Sequence, residues 1–179
     1  MTPQNEYGSV AKLLHWAIVV LLVAQFILGW TMPHIGRDTK PDTLIDLHFS
    51  FGTLILLLVL LRLAWRIGHP VAPAAENFPL WQQRAATATH WLLYLLLLVI
   101  LVLGWASASG RGFTVSLFGL VSLPGILPVK SPLTGQIGDI HSALSTYGLL
   151  SLAGLHTLAA LYHHFLLRDN TLRRMLPHR

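Results

Sequence analysis

Residues 140–167 read IHSALSTYGLLSLAGLHTLAALYHHFLL, and this stretch decides the fold. It contains no Asp, Glu, Lys or Arg. It exceeds the roughly 20 apolar residues that carry a helix across a bilayer. Three further runs, over about 10–32, 44–67 and 81–108, are also long and apolar, with Lys12, Asp46, Arg62, Arg66 and Arg84 as their charged residues. Such lengths argue against strands. Backbone groups in lipid must satisfy one another within the segment, which makes each run a helix. The expected fold class is therefore all-α, an integral membrane four-helix bundle formed as one domain over residues 1–179.

Composition agrees. The chain is 54% hydrophobic and only 11% charged, against about 25% charged in soluble domains. So few charges do not cover a water-facing surface, whereas the apolar runs suit lipid. Cysteine is absent, which excludes disulfides, iron–sulfur clusters, thiolate ligation and cysteine nucleophiles. Nothing points to nucleic-acid binding. The first residues are polar and the apolar run behind them is too long for a cleaved signal peptide, so none is expected.

Proline and glycine mark the connections. Pro33 and Pro41 bracket the first, Pro70, Pro73 and Pro79 fill the second, and the third, 109–139, is long but still apolar. The third is expected on the membrane surface or folded back over the bundle. Lys12, Arg62, Arg66, Arg84, Arg168, Arg173, Arg174 and Arg179 fall on one side. Arg37, Lys40, Arg111 and Lys130 fall on the other. The positive-inside rule then expects both termini in the cytoplasm.

The histidines carry the chemistry, because an ionisable group inside a membrane is costly and implies a use. His141 and His156 lie fifteen residues apart on one helix, about 22 Å at about 1.5 Å per residue. At about 100° per residue their directions differ by about 60°, so both can face the bundle interior. His48 matches the depth of His141, and His15 matches that of His156. Two histidine pairs stacked across a membrane describe two haems in series, since imidazole is a common axial ligand of haem iron. Zinc favours clustered tetrahedral ligands, which pairs on distant helices do not offer.

Neighbouring residues fit this pattern. Gly52 and Gly148 share faces with His48 and His141, while Gly29 and Gly104 lie on the stripes of His15 and His90. Small residues let a haem edge approach, although plain helix packing explains them equally. Arg62 and Arg66 lie on the His48 stripe, where they either meet haem carboxylates or mark topology. His90 stays open between replacing His15 as ligand, bonding a haem carboxylate, lining a quinone pocket and a structural role. His163 and His164 suit the interface or quinone contacts. Trp16, Trp30, Trp65 and Trp91 read as an interfacial belt. His34, His69 and His178 read as solvated.

The motifs resemble those of the prokaryotic cytochrome b561 family over nearly the whole chain. They are Leu14-His15-Trp16; His48 with Gly52 and Arg62-Leu63; His90-Trp91-Leu92 with Tyr94 and Gly104; and His141 with Gly154-Leu155-His156. The most specific stretch is His163-His164-Phe165 followed by Arg168-Asp169-Asn170-Thr171-Leu172-Arg173-Arg174-Met175. The resemblance implies two b haems held by His15, His48, His141 and His156, a quinone site, and single-electron transfer between a donor and the quinone pool. One activity attributed to the family oxidises superoxide on the periplasmic side and reduces ubiquinone. On that reading the chain is a quinone-linked oxidoreductase of the bacterial inner membrane, with no catalytic residue assigned. Arg37, Lys40, Arg111 and Lys130 are then candidates for a basic funnel for a small anion, weakened by Asp38, Asp42, Asp46 and Asp139, while ordinary loop solvation explains each of them as well. Two other classes are an electron conduit for a hydrogenase, a dehydrogenase or a periplasmic cytochrome, and a cofactor-free transporter or structural bundle.

Overall fold

A computed structural model describes residues 7–36, 39–40, 42–69 and 79–176. Arg37, Asp38, Pro41, Pro70, Pro73, His178 and Arg179 lie outside them. Three helices follow their expected runs closely: α1 is Ser9–Thr31, α2 is Thr43–Gly68 and α3 is Leu80–Gly110. The fourth span, Thr134–Phe165, is built from α4 (Thr134–Ala143), a π-helical turn (Leu144–Leu149) and α5 (Leu150–Phe165). All four spans are long and apolar enough to cross a membrane.

Local chemistry sets the ends. Met32 precedes Pro33 and turns extended, with φ −67° and ψ 155°, because proline excludes helical geometry from its predecessor. Asp42 starts α2 by accepting a hydrogen bond from the Leu44 N–H at 2.8 Å. α3 closes with Gly112 at φ +85°. There the Gly112 N–H bonds to Ser109 O at 2.9 Å and the Phe113 N–H to Ala108 O at 3.0 Å, the paired closure that a left-handed glycine permits.

Helix four begins at Thr134, earlier than the expected start near 140. Gly135 and Gly138 disguise the added turn, since glycine is a poor helix former. Tertiary packing overrides that weakness. A Cβ on Gly138 would stand 2.8 Å from Ser107 Oγ and 3.0 Å from Arg111 Nη2, so the glycine lets α4 press against the end of α3. Arg111 completes the junction, donating to the Ser107 hydroxyl and, at 3.4 Å, to the Thr134 carbonyl.

The third connection folds back over the bundle. It forms a short antiparallel hairpin, β1 (Ser116–Leu117) against β2 (Val121–Ser122). Buried Ser50 pins it to α2, donating to Ser116 O at 3.1 Å and accepting from the Phe118 N–H at 3.1 Å. Phe49 meets Phe113, and Phe51 meets Phe118, edge to face. The buried core lies at mid-bundle, where Ile18, Ile55, Val59, Leu97, Ile100 and Leu149 pack together. α5 contributes no buried residue to it.

At the other end the first and last described segments meet. Trp16 Nε1 donates to Met175 O at 2.8 Å, and the Arg174 guanidinium lies 5.5 Å from the centre of the Tyr7 ring. His163 Nδ1 meets Asp169 Oδ2 at 2.5 Å, and Asp169 Oδ1 accepts from the Thr171 N–H at 2.7 Å. Partial burial favours a protonated Asp169 carboxyl, but the hydrogen bonds from Thr171 and His163 outweigh it and hold the carboxyl below its ordinary value.

Candidate functional site

α2 and α4 bring His48 and His141 together at the end remote from the termini. Their ring centroids stand 6.4 Å apart with planes at 84°. Both line a cavity of about 570 Å³, within the range of cofactor sites. His141 Nδ1 lies 2.8 Å from the Ile100 carbonyl oxygen. The acceptor is a carbonyl, so Nδ1 carries the proton and Nε2 is left with its lone pair, the arrangement that orients metal-binding imidazoles.

Glycines shape the walls. A Cβ on Gly104 would stand 2.8 Å from His141 Cε1, and one on Gly29 would stand 3.5 Å from His48 Cε1. Gly52 faces Gln25, whose Nε2 donates to His48 O at 3.0 Å. Gly148, by contrast, faces Leu96. Among the described residues His48 Nδ1 and Gln25 Oε1, buried beside the cavity, have no hydrogen-bond partner, an uncommon condition in a protein interior.

The terminal end gathers three histidines. His15 and His156 have ring centroids 6.5 Å apart at 80°, while His90 lies 5.4 Å from His156. Among the described residues no three His, Asp or Glu side chains converge on a point where one ion could sit. Arg62 donates to Ala11 O at 2.5 Å. Arg66 instead lies over Trp91 and Tyr94, 5.7 and 5.8 Å from their ring centres.

These spacings test the fit of a haem iron. Two metal–imidazole bonds of about 2 Å, each with about 1 Å more to the ring centre, separate centroids by about 6 Å. The 6.4 Å and 6.5 Å pairs suit that separation. The 5.4 Å pair of His90 and His156 is too close for it.

Several features at these sites leave no recognisable mark in the sequence. Gln25 sits between the first two helices without a motif to mark it. The Ser50 pin is one serine in an apolar run. Arg111, expected in a basic funnel, is a clamp between α3 and α4 that also lines the cavity with Asp139.

A membrane-spanning helical bundle with paired histidines at two depths defines a class of integral membrane cytochrome. The chain belongs to the prokaryotic cytochrome b561 family, whose profile matches residues 6–178. It is 30% identical to cytochrome b561 homolog 2 of Escherichia coli K12, across 98% of this chain and 93% of that one. It is also 30% identical to the probable superoxide oxidase CybB of Yersinia pestis, across 97% of each. Cytochrome b562 of Cereibacter sphaeroides is 27% identical across 98% of both chains. Membership implies haem b as the cofactor of this multi-pass membrane protein.

Proposed function

We propose that the protein passes single electrons from periplasmic superoxide to ubiquinone, holding two b haems between His48 and His141 and between His15 and His156. Two superoxide anions each give up an electron and leave as dioxygen, and one quinone takes two electrons and two protons to become quinol. The observation that carries the reading is the recurrence of one ring-to-ring distance, 6.4 and 6.5 Å, at two depths of the bundle. The relative named probable superoxide oxidase supports the choice of donor.

Haem b, when bound, supplies a reversible one-electron couple, and the protein supplies geometry and surroundings. His141 is oriented by its bond to Ile100 O, which holds its Nε2 free to ligate. Gly29, Gly52 and Gly104 keep the cavity open beside the two rings. Arg62 and Arg66 stand at the terminal end as counter-charges for carboxylates. Ile18, Ile55, Val59 and Leu97 fill the space between the two levels and exclude water. The hairpin pinned by Ser50 covers the remote end, which faces the periplasm, while both termini face the cytoplasm. His90, His163 and His164 stand where protons would enter from the cytoplasmic side.

The test is a reduced-minus-oxidised spectrum with a haem count on the protein purified in detergent, followed by superoxide consumption with a soluble ubiquinone. Two b haems per chain and quinone-dependent consumption of superoxide are the expected results. A colourless protein despite ample haem supply ends the electron-transfer reading. Haem without superoxide turnover moves the function to a conduit for a partner protein.

A further inference from the structure

The span that carries His141 and His156 is interrupted by the π-helical turn Leu144–Leu149. There the Leu150 N–H bonds to Ser145 O, five residues back. Ser145 Oγ donates to His141 O at 2.7 Å, and that carbonyl also accepts from the Leu144 N–H. The hydroxyl thus gives a second hydrogen bond to a carbonyl that lies just before the π-turn.

A π-turn absorbs one residue without advancing the helix. Fifteen regular steps place His156 about 60° from His141, whereas fourteen place it about 40° on the opposite side. The difference is about 100°, which moves a ring at the helix surface by roughly 8 Å. With the turn in place, the His156 ring lies 6.5 Å from His15 and 5.4 Å from His90. Without it, His156 moves out of that group.

We propose that the π-turn, closed by the Leu150 N–H on Ser145 O, is the positioning element that makes a fifteen-residue spacing act as fourteen helical steps, so that one helix serves sites at both ends of the bundle. Its role toward cofactor rests on the haem reading above; the register itself does not.

The test is deletion of Thr146 from the full chain, beside insertion of one alanine after Thr146. The chain has no cysteine, so spin labels on single introduced cysteines along 150–165 read which positions face lipid, through their collision rate with oxygen. The deletion is expected to absorb the turn into regular α-helix. The lipid-facing stripe then stays on the same residues, and haem content stays at the unmodified level. The insertion is expected to shift the stripe by about 100° and to remove one haem of two. A stripe that turns in the deletion variant overturns the proposal. Should that variant not fold, the same scan of the unmodified chain across 141–156 decides. A five-residue step between lipid-facing maxima at the turn supports the proposal, and unbroken three- and four-residue steps overturn it. His156→Ala separates the two readings. A stationary stripe with no haem lost on that substitution sinks the ligand assignment and leaves the register intact.

Discussion

The Nδ1–H of His141 is held by the carbonyl of Ile100 at 2.8 Å, tying a ring on the fourth span to the backbone of the third. Gly104, one turn further along α3, makes room for the same ring. The two contacts fix one orientation, so the ring's freedom is removed by backbone and by the lack of a side chain.

Gly104→Ala follows from that clearance. The added methyl would stand 2.8 Å from His141 Cε1, and the ring must move. Haem content is expected to fall from two per chain towards one. Gly148→Ala, whose Cβ would meet Leu96 at an ordinary 3.5 Å, is expected to keep both. Pyridine haemochrome counts on the two purified variants check the contrast.

His15 and His90 both approach His156, and substitution separates their roles. His15→Ala is expected to cost one haem of two. His90→Ala is expected to retain both and to slow quinone reduction, seen as a lower turnover with an unchanged reduced-minus-oxidised spectrum. Loss of a haem in His90→Ala with none lost in His15→Ala would exchange the two assignments.

Ser50→Ala unpairs the Ser116 carbonyl and the Phe118 N–H together. Ser116 is half-buried and Phe118 is exposed, so water takes over part of the lost bonding and the cost is about 1 kcal/mol or less. The expected outcome is a lower melting temperature and faster proteolysis within 111–133, with the fourth span intact. Equal proteolysis of the two proteins would remove Ser50 from its role as the pin.

Asp169 ties the segment after α5, 166–176, back to that helix through His163, as a C-terminal strap. Its carboxyl is held below the ordinary value, against the effect of burial, by hydrogen bonds from Thr171 and His163. A depressed folded value means that the stabilisation is complete above the unfolded value of 3.8 and is lost as pH falls through the lower, folded one. Cleavage of the strap by an acid-active protease is therefore expected to rise only below about pH 3.8. In Asp169→Asn it is expected to be fast at every pH, and a strap as resistant as the unmodified one would reject this contact as the latch.

The amino-acid sequence alone determined the number of spans, the approximate limits of the first three and the absence of thiol chemistry, because length, hydropathy and proline act locally. It also singled out His15, His48, His141 and His156, since histidines at two depths of an apolar helix are costly and therefore conspicuous. The start of helix four was not legible, because its first turn contains two glycines and forms only against Ser107 and Arg111. The packing of helices decided the rest. It brought His90 to His156, turned Arg62 to the Ala11 carbonyl and Arg66 to Trp91 and Tyr94, and placed the π-turn that rotates His156. Each of these depends on where a neighbouring helix lies, and the periodicity of a single chain carries no information about distances between helices.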